Sequence, residues 1–183
     1  MTFGGQSRDL FGGVMQWCLS MRADPVARDL ADRHYNREKI GTQQFVPPGR
    51  CLVLLTDCAR AYWVTSWQQH VQHAWPGAWI CSAFRSEGAG VASELIRDAV
   101  AATRAHFGEP PPQGMVTFIN RREVRPIMVR GRETWGWTFK QVGFVEVGVT
   151  RERGYLALQL TPDKMPAAAR AKQRSLHGLP LFG

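Results

Sequence analysis

Apolar positions along this chain change period several times, and each change marks an element. Asp24-Pro25 sets an N-cap acceptor before a proline at the first helical position. Val26, Ala27, Leu30, Ala31 and His34 then fall on one face, which predicts a helix reaching His34. Residues 41–49 hold two glycines and two prolines and read as a loop. Runs at 51–55 and 61–65 read as strands paired through a turn over 57–60. The polar, aromatic stretch 66–77 follows neither period and reads as a loop. The short apolar run 79–84 then predicts a central strand. From 91 to 107 apolar residues recur at Leu95, Ile96, Ala99 and Val100 with Thr103 on the same face, and the pattern closes at Gly108 and three prolines, so a long helix is predicted. Beyond it come a strand at 115–119, an arginine-rich connection through Arg132, a short helix over 135–142, and a hairpin of 145–149 with 155–160. No internal repeat is present.

Residues 1–23 carry two Gly-Gly pairs and little period, and read as a flexible N-terminal arm. Residues 162–183, with Lys164, Arg170, Lys172 and Arg174, read as an exposed basic tail. One domain over 24–161 remains, within the size range in which a single core forms without staples. Apolar residues at 44% and charged residues at 21% are ordinary globular usage and exclude disordered, collagen-like and membrane classes. No apolar run approaches the roughly 20 residues of a spanning helix, and no leader pattern opens the chain, so a cytoplasmic location is expected. Cys18, Cys51, Cys58 and Cys81 form no C-x-x-C pair and are expected to be reduced thiols rather than zinc ligands. Lys plus Arg exceeds Asp plus Glu by 23 minus 15, a net charge of +8 that attracts polyanions such as DNA or the phosphates of a cofactor.

Chemistry concentrates where the central strand meets the long helix, at Arg85-Ser86-Glu87-Gly88-Ala89-Gly90. Glycines let backbone approach a ligand, the first amides of the helix are unpaired donors, and the helix dipole favours negative charge there. A pyrophosphate satisfies all three. This segment resembles the CoA-binding signature of the GNAT acyltransferase superfamily, which runs Gln or Arg, two residues, Gly, one residue, Gly or Ala. Phe139-Lys140-Gln141-Val142-Gly143-Phe144 is similar to the GNAT segment leading into the last hairpin, so the likeness spans roughly residues 50–160. It implies an α/β (α+β) fold with a GNAT-like mixed, centrally splayed β-sheet flanked by helices. It also implies an acyl-CoA or acetyl-CoA-like donor held by Phe84, Arg85, Gly88, Ala89, Gly90 and Ser93. Many members carry a tyrosine that protonates the leaving thiolate, and here that position is Phe139.

Within the superfamily the chain looks like the phage Mom group, which modifies adenine in DNA to a carbamoylmethylated form and so shields it from restriction. His34-Tyr35-Asn36-Arg37 is similar to a His-Tyr-Ser-Arg element of that group, and Glu87, Ser93 and the 136–139 segment keep its spacing. The resemblance implies catalytic roles for His34, Tyr35, Glu87 and Asn120, the last standing where the group has an acidic residue. It further implies iron, with His34 and Tyr35 as the positions concerned. DNA contacts are expected from Arg37, Trp67, Trp75, Arg121, Arg122 and Arg125, since aromatic walls with an electropositive rim suit a base taken out of the stack. Each residue also has a structural reading: His34 as a packed imidazole, the tryptophans as core, the arginines as a solvated face. His70 and His73 are spaced as a metal pair only if helical, and no site is assigned to them. Two other functions compete with base modification. One is an acetyl-CoA-dependent N-acetyltransferase acting on a small-molecule or protein amine, against which Phe139 stands. The other is a non-catalytic, nucleic-acid-binding GNAT-like module.

Overall fold

The computed structural model describes residues 15–46, 48–68 and 74–174. Strands β1 (Trp17–Ser20), β2 (Arg50–Thr56), β3 (Ala61–Trp67), β4 (Trp79–Ser86), β5 (Met115–Ile119), β8 (Val145–Val149) and β9 (Leu156–Leu160) form one mixed sheet in the order β1-β2-β3-β4-β5-β9-β8. Helix α1 (Pro25–Asp32) packs on one face. Helices α2 (Ala92–Phe107) and α3 (Trp137–Val142) cover the other. This is the α/β, GNAT-like arrangement of a mixed sheet flanked by helices.

Strand alternation sorts the core into these two layers. Leu52, Leu54, Trp63 and Trp79 point toward α2 with Leu95, Ile96 and Phe144, while Val53, Leu55, Tyr62 and Val64 point toward Ala27, Leu30 and Ala31 of α1. Each such large side chain contributes about 1.5–3 kcal/mol on burial. Asp24 caps α1 as the Asp-Pro pair predicts, accepting from the amides of Val26 at 2.9 Å and Ala27 at 3.4 Å.

The centre of the sheet positions everything that follows. β4 and β5 are parallel, joined through α2, and pair at only three positions, Trp79↔Met115, Ile80↔Val116 and Cys81↔Thr117. Both strands continue past the last pair without pairing to each other, while each stays paired to its outer neighbour, so the sheet splays open there. On its other edge β4 bulges: Ala83 lies opposite Val64 and Cys81 opposite Thr65, leaving Ser82 without a counterpart on β3.

Four sequence expectations are corrected. Trp17–Ser20 is an edge strand, paired antiparallel to β2 from Trp17↔Thr56 to Ser20↔Val53, so the N-terminal arm is not free through residue 23; residues 1–14 lie outside the described residues. The basic tail is not free either. Lys172 bonds Leu19 and Trp17 backbone at 2.8 and 2.9 Å, Ala169 donates to Ala101, and Met165 is buried, so residues 162–172 run back across α2 to β1. Arg174 reaches the Asp24 carboxylate, and Lys172 reaches Asp57. Helix α1 stops at Asp32, which places His34 in the turn beyond it rather than on the helix. The arginine-rich connection contains a small hairpin, β6 (Ile127–Val129) with β7 (Arg132–Thr134), turned by Arg130 and Gly131 at φ of 50° and 76°.

Cys18, Cys51, Cys58 and Cys81 are free thiols. Among the described residues no helix is long and apolar enough to cross a membrane.

Candidate functional site

The phosphate-type loop is open to solvent. Gly88, Gly90 and Val91 are exposed, and Val91 caps α2 without any side-chain hydrogen bond, so the dipole end of the helix faces outward. Gly88 sits at φ +79°, and a Cβ there would come within 2.8 Å of the Arg60 guanidinium, which the β2–β3 turn presses against the loop. Arg33 and Arg85 close the other side. Both grip Glu87: Arg33 through Nε and a terminal nitrogen at 2.8 and 3.0 Å, Arg85 through Nε at 2.7 Å. These bonds, that of Arg33 foremost, pull the Glu87 carboxyl down to about 2. Glu87 is therefore a fixed carboxylate, unfit to donate a proton at neutral pH. Arg60, two exposed glycines and an uncapped helix end are groups that could meet an anion here, while Arg33 and Arg85 are paired with Glu87. Ser93 lies half-buried in the first turn of α2, and Phe84 packs against Trp63 and Phe139 at the base of the splay.

The turn after α1 is pinned into the splay by the Arg85 side chain and by backbone carbonyls of the diverging strands. Arg85 donates to the Arg33 carbonyl at 2.7 Å, Asn36 donates its amide to the Ser82 carbonyl at 2.6 Å, and the Tyr35 hydroxyl donates to the Phe118 carbonyl at 3.3 Å. His34 stacks on Tyr35 at 4.6 Å and meets Tyr62 edge-on at 6.1 Å. Its Nδ1 accepts from the Asn36 amide at 3.3 Å, which leaves the ring proton on Nε2, with the Phe84 backbone also bonding the ring. Burial first, then the Arg85 charge, hold His34 below its ordinary value, so the ring is neutral at pH 7. Burial likewise raises the Tyr35 phenol, which stays protonated.

Two openings meet at this turn. Between β4, β5 and α3 lies a cavity of about 260 Å³, lined by His34, Tyr35, Phe84, Thr117, Gly136 and Phe139. On the α1 face lies a cleft of about 1690 Å³, walled by residues 35–46, by Trp75 and by residues 149–155. Tyr35, Cys81, Ser82, Ala83 and Phe118 line both. Cys81 is buried at the apex of the splay, which pushes its thiol up to about 12 and makes it inert at neutral pH.

Of the residues singled out in the sequence, His34, Tyr35 and Asn120 come together at the mouth of the splay. The Asn120 backbone bonds the Tyr35 side chain, while its own side chain accepts from the Arg122 amide at 3.1 Å. Glu87 is held apart at the loop. Arg37 is structural: its side chain is 9% exposed and is spent on Asp32 at 2.6 Å and on the carbonyls of Thr42 and Gln44. Trp67 lies on the α2 face, packed edge-on against Trp79 and Phe107 beneath Arg50, away from the cleft. Trp75 lines the cleft and packs on Phe118 at 5.7 Å. Arg125 borders the cavity, Arg121 lies over Trp135, and Arg122 is exposed. His70 and His73 lie outside the described residues.

For iron the donors present do not suffice. Among the described residues no three His, Cys, Asp or Glu side chains converge, and the donor stacked beside the His34 imidazole is the protonated phenol of Tyr35. Sequence reasoning missed Arg33, Arg60, Asn36 and the Ser66–Ser82 hydroxyl pair at 2.7 Å on the cleft floor. For Arg60 a signal existed, because the hairpin turn it ends sits opposite the strand that leads into the glycine loop.

Comparison of the chain with models of protein families, with curated proteins and with solved structures finds no match.

Proposed function

We propose that this protein is an acyltransferase-fold enzyme that modifies an adenine base of DNA, in the manner of the Mom group, and thereby protects that DNA from restriction. The observation that carries this reading is the meeting of a 260 Å³ cavity on the donor side with a 1690 Å³ cleft on the other, at Tyr35 and Ser82. A small amine needs no such cleft, since small-molecule pockets run to roughly 300–1,000 Å³. A nucleotide within a polymer does.

In this reading Arg33, Arg60, Arg85 and the loop 88–90 hold the donor's pyrophosphate, and a donor of the acyl-CoA type supplies the activated carbon. The exocyclic amine of the base attacks that carbon from the cleft. The new N–C bond forms as the bond to the leaving group breaks; the amine's proton passes to water in the open cleft. Tyr35, protonated and placed between both openings, gives its proton to the leaving group in the role that Phe139 cannot fill. His34 is a positioning residue that fixes Tyr35 by stacking. No step is assigned to iron.

Mass spectrometry of nucleosides from plasmid DNA, after expression of the chain, tests the proposal. A new adenine adduct that disappears in His34→Ala supports it. Unmodified DNA together with acetylated amines would replace it with the acetyltransferase reading.

A further inference from the structure

The cleft has an aromatic wall, a polar floor and a charged rim, and these three features together specify how a base would be presented. Tyr35, Trp75, Phe118 and Tyr155 all line it. On the floor, Ser66 is 3% exposed and its hydroxyl pairs with that of Ser82 at 2.7 Å. One hydroxyl donates to the other, and Ser82 also reaches the Ile80 carbonyl at 3.4 Å, so what the pair keeps for a ligand is chiefly lone pairs, which accept from an edge that carries a donor. That is the edge of a purine or pyrimidine bearing an exocyclic amine. Ser82 also lines the splay cavity, so an amine bonded to it stands at the junction of the two openings.

Resting on the base-modification reading, we propose that the cleft binds single-stranded DNA, with one base stacked on the Tyr35, Trp75 and Phe118 wall and its amine-bearing edge on the Ser66–Ser82 pair. A base stacked on both sides inside a duplex cannot bring its edge to a floor this buried, whereas an unstacked one can. The rim supplies Lys39 on one side and Arg151 and Arg153 on the other, with Glu38 and Glu152 among them. Two carboxylates offset most of three cations. Stacking therefore dominates the affinity, and the salt dependence is shallow.

Fluorescence anisotropy with a labelled adenine-containing 12-mer, single-stranded or annealed to its complement, tests this on the full chain without donor. The single strand is expected to bind about tenfold or more tighter than the duplex, with a log–log salt slope no steeper than about −2 for three cations. Trp75→Ala is expected to weaken it about fivefold or more. Arg151→Ala with Arg153→Ala should flatten the slope while retaining the preference for single strands. Ser82→Ala serves if Trp75→Ala does not fold, and should narrow the preference for oligo-dA over oligo-dT. Equal binding of duplex and single strand, or unchanged binding in both Trp75→Ala and Ser82→Ala, overturns the inference. Because no donor is present, this outcome is separate from adduct formation: an adduct on duplex-preferring protein would sink the single-strand inference alone, and single-strand binding with no adduct would sink base modification alone.

Discussion

Asn36 donates its side-chain amide to the Ser82 carbonyl at 2.6 Å, one residue beyond the last position at which β4 and β5 pair. A loop thus supplies the hydrogen bond that a neighbouring strand would have made, and it does so with the residue next to Tyr35. The bond is exposed, so its loss should cost stability only about 0.5–1.5 kcal/mol. Asn36→Ala is expected to lower the melting temperature by a few degrees and adduct yield by much more, because Tyr35 loses its tether. A fall in yield no larger than the fall in folded fraction would count against this link.

Glu87 occupies the guanidinia that a pyrophosphate would need. Its carboxyl, drawn down to about 2 by Arg33 and Arg85, remains ionised and competes with an incoming anion. Glu87→Gln should therefore tighten binding of inorganic pyrophosphate, read by calorimetry, about threefold to tenfold at low salt and less at high salt. Its contribution to stability is present above the unfolded carboxyl value of 4.5 and is lost as pH falls toward 2, so the substitution should leave the melting temperature at pH 7 slightly lower and that at pH 2 unchanged. Weaker pyrophosphate binding in the variant would instead assign Glu87 a direct part in the site.

Gly114 opens β5 at φ +64°, and a Cβ there would lie 2.1 Å from the Leu160 carbonyl oxygen on β9. The atoms it would meet are all backbone of Leu160 and Thr161, so nothing can swing away. Gly114→Ala combines left-handed strain with overpacking, on the order of 3 kcal/mol in total. That corresponds to a melting temperature lower by roughly 6–12 °C, measurable by differential scanning fluorimetry.

What the sequence disclosed and what it hid follow from the range of the forces involved. Met115–Ile119 was legible to the residue because a short apolar run stands between prolines and a polar turn, and α2 because sixteen residues repeat one face and end at Gly108. The glycine loop was legible for the same local reason. Trp17–Ser20 was not, since four residues carry no measurable alternation and become a strand only by pairing with β2. The returning tail is held by Lys172 backbone bonds to Trp17 and Leu19, more than 150 residues away in sequence. The site divides likewise. His34 and Tyr35 could be named from a short element, but Asn36, Ser82 and Arg60 matter only because the bulge and splay of β4 bring them to that turn.

His34 links stability to pH. Burial holds its folded value below the ordinary 6.5, so the unfolded chain binds the proton first as pH falls. The stability that the neutral ring contributes is present above 6.5 and is lost as pH drops through that value toward the folded one. Denaturant titrations of the unchanged chain should show a shrinking midpoint between pH 7 and 5. His34→Gln should reduce that slope without abolishing it, because His106 is depressed by burial in the same direction. An unchanged slope would show that His34 is solvated.

Tyr35 bears the heaviest chemical load in the proposed reaction, and its hydroxyl can be removed without removing its ring. Burial raises the phenol above its ordinary 10, so the proton is retained throughout the neutral range. Activity that needs this proton should persist as pH rises and fall only above about 10. Tyr35→Phe keeps the 4.6 Å stack with His34 and deletes the hydroxyl's bonds to the Phe118 carbonyl and the Asn120 backbone. General acids contribute about 10²- to 10⁴-fold, so kcat for adduct formation should drop by that factor while KM for DNA changes less than about threefold. The high-pH limb should vanish with it. If instead kcat holds and KM rises, the Tyr35 hydroxyl serves binding and not proton donation, and the leaving group departs without help from this residue.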